Sequence, residues 1–68
     1  MKKVEMPLGF IMSIFQNKEA LKYFTSLDEN IKQLICNYIQ NVATGDESKE
    51  RIYNSIQGLA NENLNFLR

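Results

Sequence analysis

The fold is decided by residues 31–42, which read IKQLICNYIQNV. Apolar side chains recur in this stretch at spacings of three and four residues: Ile31, Leu34, Ile35, Tyr38, Ile39 and Val42. A helix has about 3.6 residues per turn, so this spacing puts all six side chains on one face. The sequence therefore predicts a helix over 31–42, and we expect it to be the central helix of the domain.

Both ends of this helix carry sequence signals. Ser26 precedes Glu29 by three residues, the spacing of a capping box, and Asp28 adds negative charge near the positive end of the helix dipole. Gly45 follows Thr44 and readily adopts the left-handed conformation that ends helices. We therefore expect Ser26 to cap the helix and Thr44-Gly45 to end it.

A second apolar stripe follows and predicts another helix. Its members are Ile52, Ile56, Leu59 and Ala60. Either Asp46 or Ser48 is expected to cap it, and Gly58 should weaken it by about 1 kcal/mol. Residues 61–68 are rich in asparagine, so both a continued helix and a frayed tail remain open for them.

A short helix is predicted upstream of residue 26. Asn17 stands where an N-cap belongs, and Glu19 falls in the first turn. The apolar residues that follow have helical spacing: Ala20, Leu21, Tyr23, Phe24 and Leu27. We expect them to face the core.

The segment before Asn17 is apolar nearly all round. Pro7 is suited to the first turn of a helix, and one apolar face is predicted behind it. That face contains Phe10, Ile11, Ile14 and Phe15, whereas Leu8 and Met12 point away from it. Such a helix must be buried on more than one side.

Length and composition fit one small globular domain. The chain has 68 residues, of which 44% are apolar and 24% are charged, and no run alternates with the period of a strand. We expect an all-α fold, a compact three- to four-helix orthogonal bundle. The single domain is predicted over 1–68, with a flexible start at 1–6 and a tail at 61–68 that frays if the last helix does not continue.

The residue inventory excludes several kinds of chemistry. There is no histidine and only one cysteine, Cys36, so a zinc site of the Cys/His kind and a Ser–His or Cys–His nucleophile pair are both excluded within one chain. Glu47 and Glu50 are three residues apart, but a place in a first helical turn already explains them. No phosphate-binding glycine loop or small-molecule motif is present. We therefore predict no catalytic residue, no cofactor and no metal.

Cys36 has two interpretations. It lies off the apolar stripe of residues 31–42, which predicts a semi-exposed thiol of no special role. A redox-active thiol would need a lowered pKa from a nearby base or a helix N-terminus, and Lys32, one turn away, helps only slightly.

Nucleic-acid binding is the main alternative class of function. The outer face of the helix at 31–42 offers residues that contact bases: Lys32, Gln33, Asn37, Gln40 and Asn41. Eight basic residues are balanced by eight acidic ones, however, so attraction to phosphate should be weak. We keep a weak DNA-binding accessory domain as an alternative.

A membrane or export role is not expected. The apolar run at 6–15 is interrupted by Pro7 and Gly9 and is shorter than the roughly 20 residues of a membrane span. No small-residue cleavage site follows it. A free thiol then favours a cytoplasmic location.

Two resemblances carry further expectations. The stretch 27–59 resembles the C-terminal helical segment of the bacteriocin-protection (OmpD-associated) family at Leu27, Ile35, Tyr38-Ile39, Arg51-Ile52, Ile56 and Leu59. That resemblance implies a stress protein, or one that confers resistance to antimicrobial peptides. The family's polar residues between the helices are replaced here by Val42-Ala43 and Glu47-Ser48.

The second resemblance is to short, uncharacterised bacterial proteins that begin Met-Pro-x-Gly-Phe. The matching residues are Met6-Pro7-Leu8-Gly9-Phe10, Met12, Gln16-Asn17, Ala20, Phe24, Leu27 and Ser48-Lys49-Glu50. This resemblance implies a bacterial origin and the same small architecture.

The apolar N-terminal segment is the candidate functional site. Its candidate interaction surface consists of Leu8, Phe10, Met12 and Phe15, because a domain this small can hardly enclose all of them. The alternative is a first helix buried wholly in the core. We predict a non-enzymatic cytoplasmic protein–protein interaction module, either a homodimer or the binder of another protein.

Overall fold

The structure is a computed structural model that describes residues 6–67. Its helices are α1 (Leu8–Phe15), α2 (Lys18–Ser26), α3 (Glu29–Gln40) and α4 (Gly45–Ala60), followed by a short 3-10 helix at Asn65–Leu67. No strand occurs between residues 6 and 67. The expected all-α bundle is confirmed, with four helices.

Three of the helices begin at a side chain that caps them. Asn17 Oδ1 accepts a hydrogen bond from the Ala20 amide at 3.0 Å, as the sequence predicts. Asp28 Oδ1 accepts one from the Ile31 amide at 2.9 Å, at the start of α3. Each bond satisfies one of the amides that a helix start leaves without an intrahelical partner.

The predicted capping box of α3 is wrong. Ser26 is the last residue of α2, and its hydroxyl donates to the Tyr23 carbonyl at 2.6 Å, so it is not free to cap the next helix. Asp28, one residue before α3, performs that role instead. A carboxylate at the N-cap also gains from the helix dipole.

The predicted boundary at Thr44-Gly45 is also wrong, because these residues start a helix. Thr44 is the N-cap of α4, where its hydroxyl accepts from the Glu47 amide at 3.2 Å. Glu47 reaches back and accepts from the Ala43 amide at 3.0 Å. Neither Asp46 nor Ser48 is the cap, and both lie inside the first turn of α4.

The early end of α3 is explained by Arg51. Its guanidinium group donates to the carbonyls of Tyr38, at 2.7 Å, and Asn41, at 3.1 Å. These carbonyls lie at the C-terminal end of α3, where helices leave their acceptors unsatisfied. The guanidinium also lies 4.8 Å from the centroid of the Tyr38 ring, which adds a cation–π contact.

The central element of the bundle is α4, not the helix at residues 31–42. It packs against α1, α2, α3 and the 3-10 helix, and it is the longest element. The core residues come from all four helices: Phe10, Ile14, Ala20, Phe24, Ile35, Ile39, Ile56 and Leu59. Ser55 is fully buried among them, and its hydroxyl donates to the Arg51 carbonyl at 2.7 Å.

Both ends of the described chain pack on this core. The flexible start predicted for 1–6 lies outside the described residues except for Met6, which packs against the core. At the other end α4 stops at Ala60, and Phe66 and Leu67 fold back onto the core. The tail therefore neither continues the helix nor separates from the bundle.

Candidate functional site

The outer side of α1 presents three large apolar side chains to solvent. Leu8 is 71% exposed, Met12 is 57% exposed and Phe15 is 67% exposed. Their spacing of four and then three residues aligns them along one side of the helix. We call these three side chains the α1 ridge.

An apolar groove adjoins the ridge between α1 and α2. Its volume is about 460 Å³, and its lining consists of Met6, Ile11, Ile14, Phe15, Leu21, Phe24 and Thr25. The Thr25 hydroxyl donates to the Lys22 carbonyl at 3.0 Å, so the one polar side chain of the lining is already hydrogen-bonded within its own helix. Phe15 belongs to both the ridge and the groove, which makes the two features one continuous surface.

Phe10 does not belong to this surface, contrary to the sequence-based prediction. It is fully buried and meets Phe24 edge-on, with the ring centroids 5.4 Å apart. It shares the inner face of α1 with Ile14, four residues later. The exposure expected of Phe10 was therefore wrong, whereas that of Leu8 and Met12 is confirmed.

Phe15 is exposed, as its place in the predicted interaction surface requires, but the sequence also assigned it to the intrachain face of α1, and that assignment is wrong. It follows the buried Ile14 by one residue, and one residue turns a helix by about 100°, which carries its side chain outward. The rotation of α1 about its own axis is fixed by the opposite side of the helix, where Gly9 packs closely against α4. A Cβ atom at Gly9 would be only 3.2 Å from Ile52 Cδ1.

The absence of charged side chains distinguishes α1 from the other three helices. α1 reads LGFIMSIF and has no charged side chain, in contrast to α2, α3 and α4. The surface can therefore attract an apolar partner but offers nothing to pair with a strongly charged one.

Cys36 is buried, which corrects the semi-exposed thiol expected from the sequence. It is fully inaccessible to solvent, as are Ile35 and Ile39, whereas Leu34 of the predicted stripe is 52% exposed. The buried face of α3 is thus rotated from Leu34 towards Cys36. Burial raises the pKa of the Cys36 thiol, because a thiolate would lose its hydration. A neutral, inaccessible thiol is a poor nucleophile and a poor redox sensor.

The described basic side chains are distributed over three helices. Lys32 on α3 lies over the Phe24 ring, with Nζ 5.8 Å from the centroid. Lys18 and Lys22 on α2 line a hollow whose lining also includes Glu19 and Glu62. Arg51 on α4 donates a hydrogen bond to the Tyr38 carbonyl near the end of α3. Electrostatic recognition of nucleic acid needs such groups on one face.

A cluster of metal ligands or a long apolar helix would indicate a different kind of site. Between residues 6 and 67, no three histidine, cysteine, aspartate or glutamate side chains form a group that would hold a metal ion. Within the same range, none of the helices has the length and apolar character to cross a membrane.

Comparisons with other proteins give no family assignment. No protein-family model, no curated protein and no solved structure matches this chain. The two resemblances described above therefore stay predictions.

The groove is the part of the site that the sequence does not predict. Ile11, Leu21 and Phe24 line it, whereas the sequence predicts only that they face the core, where Phe24 is indeed buried. One signal was present, because residues 8, 11, 12 and 15 have the i, i+3, i+4, i+7 spacing of a helix that binds another helix. A groove between two helices, by contrast, appears only once their packing is known.

Proposed function

We propose that this chain is a small, non-enzymatic, cytoplasmic interaction module that binds an apolar helical face through α1. The observation that supports this proposal is the continuity of the α1 ridge with the apolar groove. Large contiguous apolar patches on the surface of monomeric proteins are often binding sites.

The shape of the surface suggests the kind of partner. Proteins that bind an amphipathic helix lay its apolar side chains into a groove between their own helices. The groove between α1 and α2 has this form, and the ridge beside it adds aromatic and methionine contacts. Aromatic residues and methionine are enriched in protein–protein interfaces.

The two alternatives have less support. A DNA-binding domain would use a cluster of basic groups, but Arg51 already binds the carbonyls that end α3, and Lys18 and Lys22 share their hollow with acidic residues. A role in resistance to antimicrobial peptides rests on the family resemblance.

Affinity capture from the native cells tests the proposal. The tagged wild-type chain is compared with Met12→Lys, which puts a charge on the ridge, and with Leu34→Lys, which changes an equally large exposed side chain on α3. We expect wild type and Leu34→Lys to recover at least one bound protein, and untagged copies of this chain count as such. The amount of that protein recovered with Met12→Lys should be about tenfold lower.

Each captured protein is then purified and titrated against the same three chains. Binding that Met12→Lys weakens and Leu34→Lys does not would support the proposal. If no bound protein distinguishes the two variants, α1 is not an interaction surface and the proposal fails.

A further inference from the structure

We propose that the partner of the α1 surface is a second copy of this chain, with the two α1 helices antiparallel across a two-fold axis. This inference rests on the proposed function, because it names the occupant of the same surface. Three features of α1 support it: its register, its lack of charge and its pairing of a ridge with a groove.

The register of the exposed residues is self-complementary. In an antiparallel pair of identical helices, residues whose numbers have a constant sum lie opposite each other. With Leu8 opposite the partner copy's residue 15, Ile11 lies opposite residue 12, so these opposing positions on the outer side of α1 are all apolar. Met12 and its symmetry mate are then both close to the axis. A two-fold interface requires this reciprocity, in which residue i meets j while j meets i.

Charge favours a second copy over a charged partner. Near a two-fold axis, any charged group would face the same group of the other chain, and α1 has none. The whole sequence has a formal net charge of zero, so two copies also lack long-range repulsion at neutral pH.

The ridge and the groove are the two halves of one contact. Side by side on the same chain, they allow the α1 ridge of each copy to lie in the groove between α1 and α2 of the other. A partner without such a groove would bury only the ridge. In a dimer of two copies, the ridge and the groove of each chain are both buried.

A dimer interface of standard size would cover a substantial share of this small chain. An interface of standard size takes about 800 Å² from each partner, which is about one sixth of the 5023 Å² accessible surface of this chain. The outer side of α1 and the groove supply the apolar centre, and neighbouring polar residues supply the rim. We expect a dissociation constant in the micromolar range.

Sedimentation velocity of the whole chain, from about 1 µM to about 500 µM, tests the inference. We expect a concentration-dependent dimer for wild type and for Leu34→Lys. Met12→Lys should raise the dissociation constant by about 100-fold or more, because it brings two positive charges together at the axis. Circular dichroism checks that the variant keeps the helical fold.

Mixing opposite charges tests the symmetry itself. Met12→Glu alone should be as monomeric as Met12→Lys, but an equimolar mixture of the two should dimerise at least about tenfold more tightly than either alone. Only a partner copy that brings its own residue 12 near the axis predicts this rescue. A mixture that behaves like its components would overturn the antiparallel arrangement.

The outcomes separate this inference from the proposed function. A monodisperse wild-type monomer at the highest concentration overturns the second copy, and capture of a different protein that depends on Met12 would leave the proposed function standing. A dimer that Met12→Lys leaves intact overturns the inference as well, because the contact then lies elsewhere.

Discussion

At Gly58 the backbone of α4 lies too close to its neighbours for any side chain. A Cβ atom there would be 2.7 Å from the Asn63 carbonyl oxygen and 2.8 Å from Phe66 Cε1. From the sequence, Gly58 is only a weak point in a helix. In the structure it provides the space into which the chain folds back after Ala60.

Gly58→Ala should therefore destabilise the protein although alanine favours helices. We expect the free energy of unfolding to fall by about 1–3 kcal/mol, because the Asn63 backbone and the Phe66 ring must move. Gly45→Ala is the matched control, since a Cβ atom there meets nothing within 4 Å. Urea denaturation measures both variants, and an unchanged or raised stability of Gly58→Ala would show that the close approach is wrong.

Cys36 should make stability depend on pH in the alkaline range. Burial raises the pKa of its thiol above the ordinary value of 9.0. The thiol therefore ionises first in the unfolded chain, so its contribution is complete below about pH 9 and is lost as the pH rises further. The difference in unfolding free energy between wild type and Cys36→Ala should be constant below about pH 9 and should shrink as the pH rises above it. A difference that stays constant across this range would contradict the burial.

At the scale of the helix, periodicity predicts which elements exist but not where they end. The cap at Asn17 was predicted, because a cap and its amide are neighbours in sequence. The end of α3 depends on Arg51, which bonds to a carbonyl 13 residues earlier in the chain. A contact between two elements leaves no local signal, so glycine at position 45 was wrongly taken for the end of a helix.

The caps themselves give a direct test of the corrected boundary. Asp28→Ala should lower the free energy of unfolding by about 1 kcal/mol, because the Ile31 amide loses its acceptor. Ser26→Ala should change it by no more than about 0.5 kcal/mol, since its hydroxyl only bonds back within the exposed end of α2. Thermal unfolding of the two variants decides between them. A larger loss for Ser26→Ala would restore the capping box predicted from sequence.

At the scale of the whole molecule, the candidate site could be predicted only in part. The exposure of Leu8 and Met12 follows from the pattern of α1, but that helix is apolar on both faces. Which face turns inward is decided by tertiary packing, namely the contact of Gly9 with Ile52 and the edge-on contact of Phe10 with Phe24. Tertiary packing likewise decides which face of α3 is buried, and it buries Cys36 and leaves Leu34 exposed.

Truncation of Ile35 should lower the free energy of unfolding more than truncation of its neighbour Leu34. Ile35 is fully buried, so Ile35→Ala should lower the free energy of unfolding by about 2–5 kcal/mol. A domain of this size has about 3–10 kcal/mol in total, so the variant is expected to be largely or partly unfolded. Leu34→Ala removes a half-exposed side chain of the same volume and should cost much less. Equal melting temperatures for the two variants would mean that Ile35 is not in the core.

The position of α4 at the centre of the bundle has a consequence for how the protein is made. Synthesis proceeds from the N-terminus, so α1 and α2 leave the ribosome before the helix that covers them exists. Until residues 45–60 have emerged, the side of α1 that packs on α4 has no partner there, and only α2 is available to cover α1. The nascent chain therefore exposes more apolar surface on α1 than the folded protein does, and α1 is then most able to associate with other chains.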